Sequence, residues 1–428
     1  CGTMSDIPRQ AKISITYSGS GGINSQTLKA RIKEFTYEDP ATGESDIISI
    51  GVDNVASYFL KRSPAKGSKI TANIHLYSWK KYGDHLIVKC GKFCCDSKEF
   101  SGWPLEGTIG ATSVPEKQAF RATQRSKTWK KVTIREIASK ICKKYAIKLT
   151  YDAGTISIKK IEQTSKTDCS FLTELCEKYG LYIKVYAGKV YIYDPVKYES
   201  KRAKKSIDIK NMLSWNYVGS LIGTYTGGTI KYTAGEKEKE YTCKVGSGSR
   251  IYHMSEKVDS LADAKRQITA KVNQENRSAE TMTCTIKADP DITSGINITV
   301  KGAEKVNGKY FIDKVVHNVS GNAAYTMELT MHKVQASVGK KKAAPAKKTT
   351  TTKKKPTTKP TTKPKVGQIV NFTGTKHYIS ADSTSPKRCK PGKAKVTIVH
   401  SGKHPYHLVA VSGGGSTVYG WVDASDIS

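Results

Sequence analysis

Few residues in this chain have both the type and the spacing to do chemistry. His404 and His407 stand with two residues between them in the run His404-Pro-Tyr-His407, a spacing that two ligands of one metal can share. No third ligand follows at a defined interval, so neither a metal nor another cofactor is expected. Cys90, Cys94 and Cys95 form a thiol cluster without the second pair of cysteines or the histidine pair that a zinc site needs. A nucleophilic thiol requires a partly exposed, electropositive setting and a partnering base. Cys142, Cys169 and Cys176 instead fall on expected helices, Cys243 and Cys284 on expected strands, and Cys389 in a Lys/Pro turn. These are places for reduced, inert thiols. No catalytic residue is assigned, and the chain is not expected to be an enzyme.

The remaining candidates are aromatic and lie near the C-terminus. Tyr378, Tyr406 and Trp421, with His377, His404 and His407 as polar neighbours, have the composition of a groove that stacks a ligand. The competing role places Trp421 in a small core and has His407 cap a turn. The elements that would position them read as strands: Gln368 to Phe372, Ala394 to His400, His407 to Ser412 and Val418 to Val422 alternate between Gly and Pro turns. Residues 367–428 are therefore expected to form a small five-stranded barrel.

A stretch of unusual composition precedes it. Lys340 to Lys365, KKKAAPAKKTTTTKKKPTTKPTTKPK, holds eleven lysines and no acidic residue. It has nothing to bury that would offset the entropy of ordering, and like charges and prolines favour extension. Residues 337–366 are read as a tether. Limited proteolysis is expected to cut first between 340 and 365 and release a stable C-terminal fragment; resistance there would mean that the segment is packed.

The chain has 428 residues and a formal net charge of +34, of which the tether supplies eleven. The excess suits acidic partners such as nucleic acid, anionic wall polymer or an acidic protein, and with no nucleic-acid-binding motif any such binding is expected to be non-specific. No run of apolar residues is long enough to span a membrane. Cys1-Gly2-Thr3 precedes Met4, which reads as a natural start, so these three are taken as added residues; a lipoprotein's leading Cys is the alternative.

The first 336 residues are mainly β with an α+β insert. Over 5–118, the runs Ala11 to Tyr17, Asp46 to Val52, Ile70 to Tyr77 and Leu86 to Phe93 alternate at period two, with a helical turn near Ala56 to Leu60. Over 119–200 the period changes. Thr133 and Glu136 make a capping box ahead of an apolar stripe at Ile134, Ile137, Ala138, Ile141, Cys142 and Tyr145. A second helix starts near Thr167 or Asp168, buries Phe171, Leu172, Leu175, Cys176 and Tyr179, and stops at Gly180; a hairpin about Ala187-Gly188 follows. Over 201–336, strands 213–219, 228–233, 240–245, 280–288, 297–301, 310–319 and 325–332 surround a helix over 260–276. The expectation is two β-barrel domains flanking the insert.

Two resemblances attach to these motifs. Asp168-Cys-Ser-Phe-Leu-Thr-Glu-Leu-Cys-Glu-Lys-Tyr-Gly-Leu with the hairpin ending Val190 to Asp194, the helix opening Ser260-Leu-Ala-Asp-Ala-Lys and reaching Asn276-Arg277, and the strands Asn307 to His317 and Tyr325 to His332 resemble, in order and spacing, the phage late control protein D family, baseplate hubs of contractile tails. The resemblance covers about residues 5 to 335. It implies a homotrimer whose paired tube-like barrels adapt a six-fold tail tube to a three-fold spike, in a virion or tail-like particle assembled from a protein made in the bacterial cytoplasm. The spike would be a separate protein, because no spike-like segment follows the last strand, and a tape-measure protein is a further partner. The second concerns Gly374 to Ser380, Lys390 to Ala394, His404 to Leu408 and Gly420 to Asp423, which resemble the bacterial SH3-like domains of cell-wall hydrolases. It implies that Tyr378, Tyr406, His404, His407 and Trp421 contact peptidoglycan or wall peptides. The rival to the hub reading is a wall-binding protein with an unrecognised enzymatic segment.

Overall fold

The computed structural model describes residues 8–338 and 364–427, apart from 44, 114–118, 187, 235–238, 257, 259 and 321–323. Cys1 to Thr3 and all of the tether between 339 and 363 lie outside the described residues. The fold divides into two compact units on either side of residue 342.

In the first unit the expected period-two strands form with their apolar residues inward. Lys69–Tyr77 buries Ile70, Ala72, Ile74 and Leu76 and turns the residues between them outward. The strands pair in the order Gln10–Ser18, Lys69–Tyr77, His85–Ser101, Glu106–Thr112, Ile47–Asp53 and Ile32–Pro40. The ladder then crosses to the far end of the chain: Glu34 to Pro40 pairs antiparallel with Lys314 to Ser320. From there it runs through Gly308–Ser320, Tyr325–Lys333, Glu280–Lys287 and Met212–Gly219. The two β segments are thus one hydrogen-bonded sheet with one core, where Phe35, Ile50 and Ile74 belong to the same cluster as Met282, Ile312 and Leu329. Alternation delimits each segment, but which edges join is decided by long-range pairing that no local period encodes.

Part of the C-terminal β segment stands apart. Gly227–Ala234, Lys239–Gly246 and Ile251–Ser255 form their own three-stranded sheet, with the helix Leu261–Arg277 packed on it through Ile268 and Val272. A β-carbon on Gly228 would lie 2.7 Å from side-chain atoms of both residues, so the helix can approach this closely only because the position is glycine.

The insert folds as its sequence indicates. Thr133 Oγ1 accepts from the Glu136 amide (3.1 Å), and the Glu136 carboxylate accepts from the Thr133 amide (2.7 Å), closing the capping box of Ile134–Lys144. Thr167 caps Asp168–Lys178, and Gly180 leaves that helix at φ 69°. The hairpin Tyr182–Tyr186/Lys189–Tyr193 gains a third, parallel strand in Lys148–Asp152. A ribbon of Gln124–Thr133 against Ser157–Thr167 completes the insert and escapes the sequence reading, because lysines dominate its text and hide the period. No described helix is long and apolar enough to cross a membrane.

The second unit is a six-stranded sheet in the order Ile369–Phe372, Gly392–Val399, Tyr406–Ala410, Tyr419–Val422, Lys376–Tyr378 and Pro386–Arg388. Four of these are the expected strands; the last two are three residues each, too short for periodicity to register. Its core is built from Val370, Phe372, Ala394, Val396, Leu408, Val418 and Val422 around Tyr406.

Candidate binding surface

The five groove candidates separate on folding. Tyr406 is 5% exposed and belongs to the core, which corrects its expected place in a groove: on Tyr406–Ala410 it shares the inward face with Leu408. His404 is 2% exposed and lies flat beneath Tyr378, the ring centroids 3.5 Å apart and the planes 9° from parallel. Its Nδ1 sits 2.6 Å from the Asp423 carboxylate and its Nε2 3.0 Å from the Ser383 carbonyl. With both nitrogens engaged, His404 orients Tyr378 and is spent as a ligand contact.

Trp421 and His407 do come together. They are register partners on adjacent strands, with centroids 5.5 Å apart in an edge-to-face arrangement. Tyr419 and His400 extend the row, at 5.6 Å from His407 and 6.1 Å from Trp421. Tyr419 is 69% exposed. The sequence reading missed Tyr419 and His400, although the alternation Val418-Tyr419-Gly420-Trp421-Val422 puts Tyr419 and Trp421 on one face. Gly420 lets the neighbouring strand approach, since a β-carbon there would meet the Tyr378 carbonyl oxygen at 2.5 Å. Burial, then Lys387, lowers the pKa of His377, while burial, then His377, lowers that of His407. The row is aromatic, and burial favours the neutral form of His407, which suits stacking on a sugar or an amide plane.

A second concentration of polar chemistry lies in the first unit, where the insert meets the sheet. Lys184, on the insert's hairpin, is buried between two sheet carboxylates: it pairs with Asp39 and stands 3.2 Å from Asp46. Ser294 donates to Asp39 through both its amide and its hydroxyl (each 2.9 Å), and the Tyr37 hydroxyl donates to Asp46 at 2.6 Å. Burial pushes Asp46 up to about 7, against the pull of Lys184. The same burial pushes Lys184 down, but Asp39 and Asp46 outweigh it and hold the ammonium above its ordinary value. Beside this pair the Gly43 amide donates to the Ile183 carbonyl, Ser45 bridges Val185, and the Tyr193 hydroxyl donates to the Ala41 carbonyl. A cavity of about 390 Å³ opens beside it, walled by Tyr37, Tyr186, Tyr191, Tyr193 and Tyr198. With one ammonium held between two carboxylates, one of them pushed toward its neutral form, the arrangement is a clamp between insert and sheet. Nothing in the sequence marked Lys184, which sits at an outward position of an alternating hairpin yet is only 14% exposed, enclosed where it meets Asp39, Asp46 and Ser294.

Two thiols lie where the helix stripes were expected to place them. Cys142 and Cys176 are buried on their helix stripes, and burial pushes each up to about 12.

No protein-family profile matches the chain. Two curated relatives do: a probable baseplate hub protein of Escherichia phage 186, 28% identical over 177 residues, and one of Escherichia phage P2, 28% identical over 168. The relatives support a baseplate hub family. The matches take in 39% and 38% of this chain and 42% and 40% of the hub proteins, so the chain spans about two fifths of their length. Two solved structures share the fold: a tail protein from Neisseria meningitidis MC58 (TM-score 0.57, 13% identity, 76% of this chain and 97% of that one) and the prophage MuSo2 43 kDa tail protein from Shewanella oneidensis (TM-score 0.56, 14% identity, 76% and 98%). Sequence similarity to probable hub proteins and the fold of tail proteins thus meet in a mainly β chain.

Proposed function

We propose that the chain is the hub of a contractile tail baseplate or tail-like injection particle, acting by assembly rather than catalysis. The observation that carries this reading is the single sheet uniting the two β segments around the α+β insert, in a chain whose curated relatives are baseplate hubs. In this reading the two halves of the sheet are the tube-like modules. Three copies then present six such modules to the tail tube and a three-fold face to a separate spike protein, with a tape-measure protein a further neighbour.

The sheet's ends support an assembling role. Gln10–Ser18 and Met212–Gly219 each pair with one strand only among the described residues. Leu213, Trp215 and Val218 on the second are about half exposed, and Leu221 and Ile222 just beyond it more so. An exposed apolar edge strand is a hazard in a lone protein and an asset in one built to pair with a neighbour.

The second unit is read as an SH3-like domain that presents the Tyr419–His407–Trp421 row to the bacterial cell wall. Electron microscopy of purified particles labelled on this chain tests the hub reading. Label at the tube–spike junction, in three copies per particle, is the expected result; label along the sheath or absent from particles would overturn it.

A further inference from the structure

The ribbon Gln124–Thr133/Ser157–Thr167 carries seven cationic residues and a single acid, Glu162. One face is anchored in the insert by Trp129, Ile158 and Gln163, all buried. Lys130 and Lys160, directly opposite each other, lie on the other face, and Lys127, Lys131 and Lys159 are also exposed. Lys130 stands directly opposite Lys160 and Arg125 opposite Lys166, two cross-strand pairs of like charge, an arrangement that destabilises a free ribbon. Compensation within the fold is partial. Arg125 reaches Asp168 and Lys166 reaches Glu174, but Lys160 has only Glu162, in a pair more than half exposed and so screened. Lys127 lies over the Trp129 ring at 4.1 Å, and Lys130, Lys131 and Lys159 have no ion pair among the described residues. Across residues 119–167 there are thirteen Lys and Arg against three acidic residues, one of which, Glu136, is used as a helix cap.

Such a face lacks an intrinsic partner and fits a polyanion of regular pitch. A two-stranded ribbon fits the major groove, where lysines of both its strands can meet the flanking phosphates. An acidic protein partner is a poorer fit, because the open face offers lysine, threonine and serine where protein interfaces bury an apolar centre. Reading of bases is also disfavoured: Arg125 is engaged by Asp168 and Gln163 is buried.

We infer that this ribbon is a sequence-blind contact surface for duplex DNA, with Lys127, Lys130, Lys131, Lys159 and Lys160 on phosphates. The inference goes beyond the hub reading and does not depend on it. The test is fluorescence anisotropy of the full chain with two unrelated DNA duplexes across a salt series. The variant Lys130→Ala/Lys131→Ala/Lys159→Ala/Lys160→Ala should make the slope of log affinity against log salt shallower by about 3 to 4, equally for both duplexes, while the four Lys→Arg changes keep the slope. Replacing the lysines of 340–365 with glutamine should leave this ribbon contribution in place. The inference is overturned if the alanine variant keeps the full slope, if the arginine variant loses it, or if the glutamine variant loses all binding. It is also overturned if polyglutamate or poly(glycerol phosphate) displaces the duplex at lower charge concentration than competitor DNA does.

Discussion

Lys184→Met is expected to destabilise the first unit by about 3–5 kcal/mol, the range for removing one partner of a buried ion pair. The side chain is 14% exposed and faces Asp39 and Asp46, at 8% and 0%. Without the ammonium, two carboxylates share a buried site, with only Ser294 and Tyr37 to solvate them. The loss should depend on pH, with a sign that follows from Asp46. Its folded pKa of about 7 lies above the ordinary carboxylate value, so its stabilising contribution is complete below about pH 4 and disappears as pH rises through 7. At pH 5 Asp46 can take a proton and relieve the repulsion in the variant; at pH 8 it cannot without cost. Urea unfolding followed by tryptophan fluorescence should therefore show a larger drop in midpoint for Lys184→Met at pH 8 than at pH 5. Asp46→Asn should remove that part of the wild-type pH dependence, and Lys184→Met/Asp39→Asn/Asp46→Asn should recover much of the stability, since no charge is left stranded. Equal midpoints for wild type and Lys184→Met at both pH values would show that the clamp contributes nothing.

The clamp also illustrates what was legible in this sequence. Local rules carried the insert far: the Thr133–Glu136 box, the Gly180 stop and the hairpin after it all appear where residue chemistry places them, because each is decided within a few residues. Strand texts with a clear alternation, such as Lys69–Tyr77 and Tyr325–Lys333, were equally readable. Hidden instead was whatever depends on a distant neighbour. Glu34 to Pro40 alternates through Phe35 and Tyr37 but continues inward with a charged Asp39, so its apolar text is too short to mark a strand, and its partner lies nearly three hundred residues away, so the union of the two β segments could not be read locally. Lys184 obeys its hairpin's alternation and is buried all the same. At the aromatic surface the composition drew attention to the right strands, but burial sorted the residues: Tyr406 and His404 went inward, while Tyr419 and His400 joined Trp421 and His407. A list of aromatic residues cannot make that division until the strand register is known.

That division yields the second large effect. If the row is what meets the wall, Trp421→Ala with Tyr419→Ala should weaken cosedimentation of the full chain with purified cell walls about 30-fold or more, as expected when central aromatic contacts of an interface are truncated. Both side chains are on the open face, and the neighbouring core residues Val418 and Val422 are untouched, so the sheet should keep its fold. Tyr406→Phe supplies the contrast. It preserves the buried ring and removes only the hydroxyl, so wall binding should remain within about twofold of wild type. Tyr406→Ala, by leaving a cavity in the smaller core, should cost about 3–5 kcal/mol and lose binding through unfolding. A groove built as the composition alone suggests would give the opposite order, with Tyr406→Phe as damaging as the loss of Tyr419. Undiminished cosedimentation of the Trp421→Ala/Tyr419→Ala variant would remove this face from any role at the wall and leave the second unit's partner to be sought on another surface.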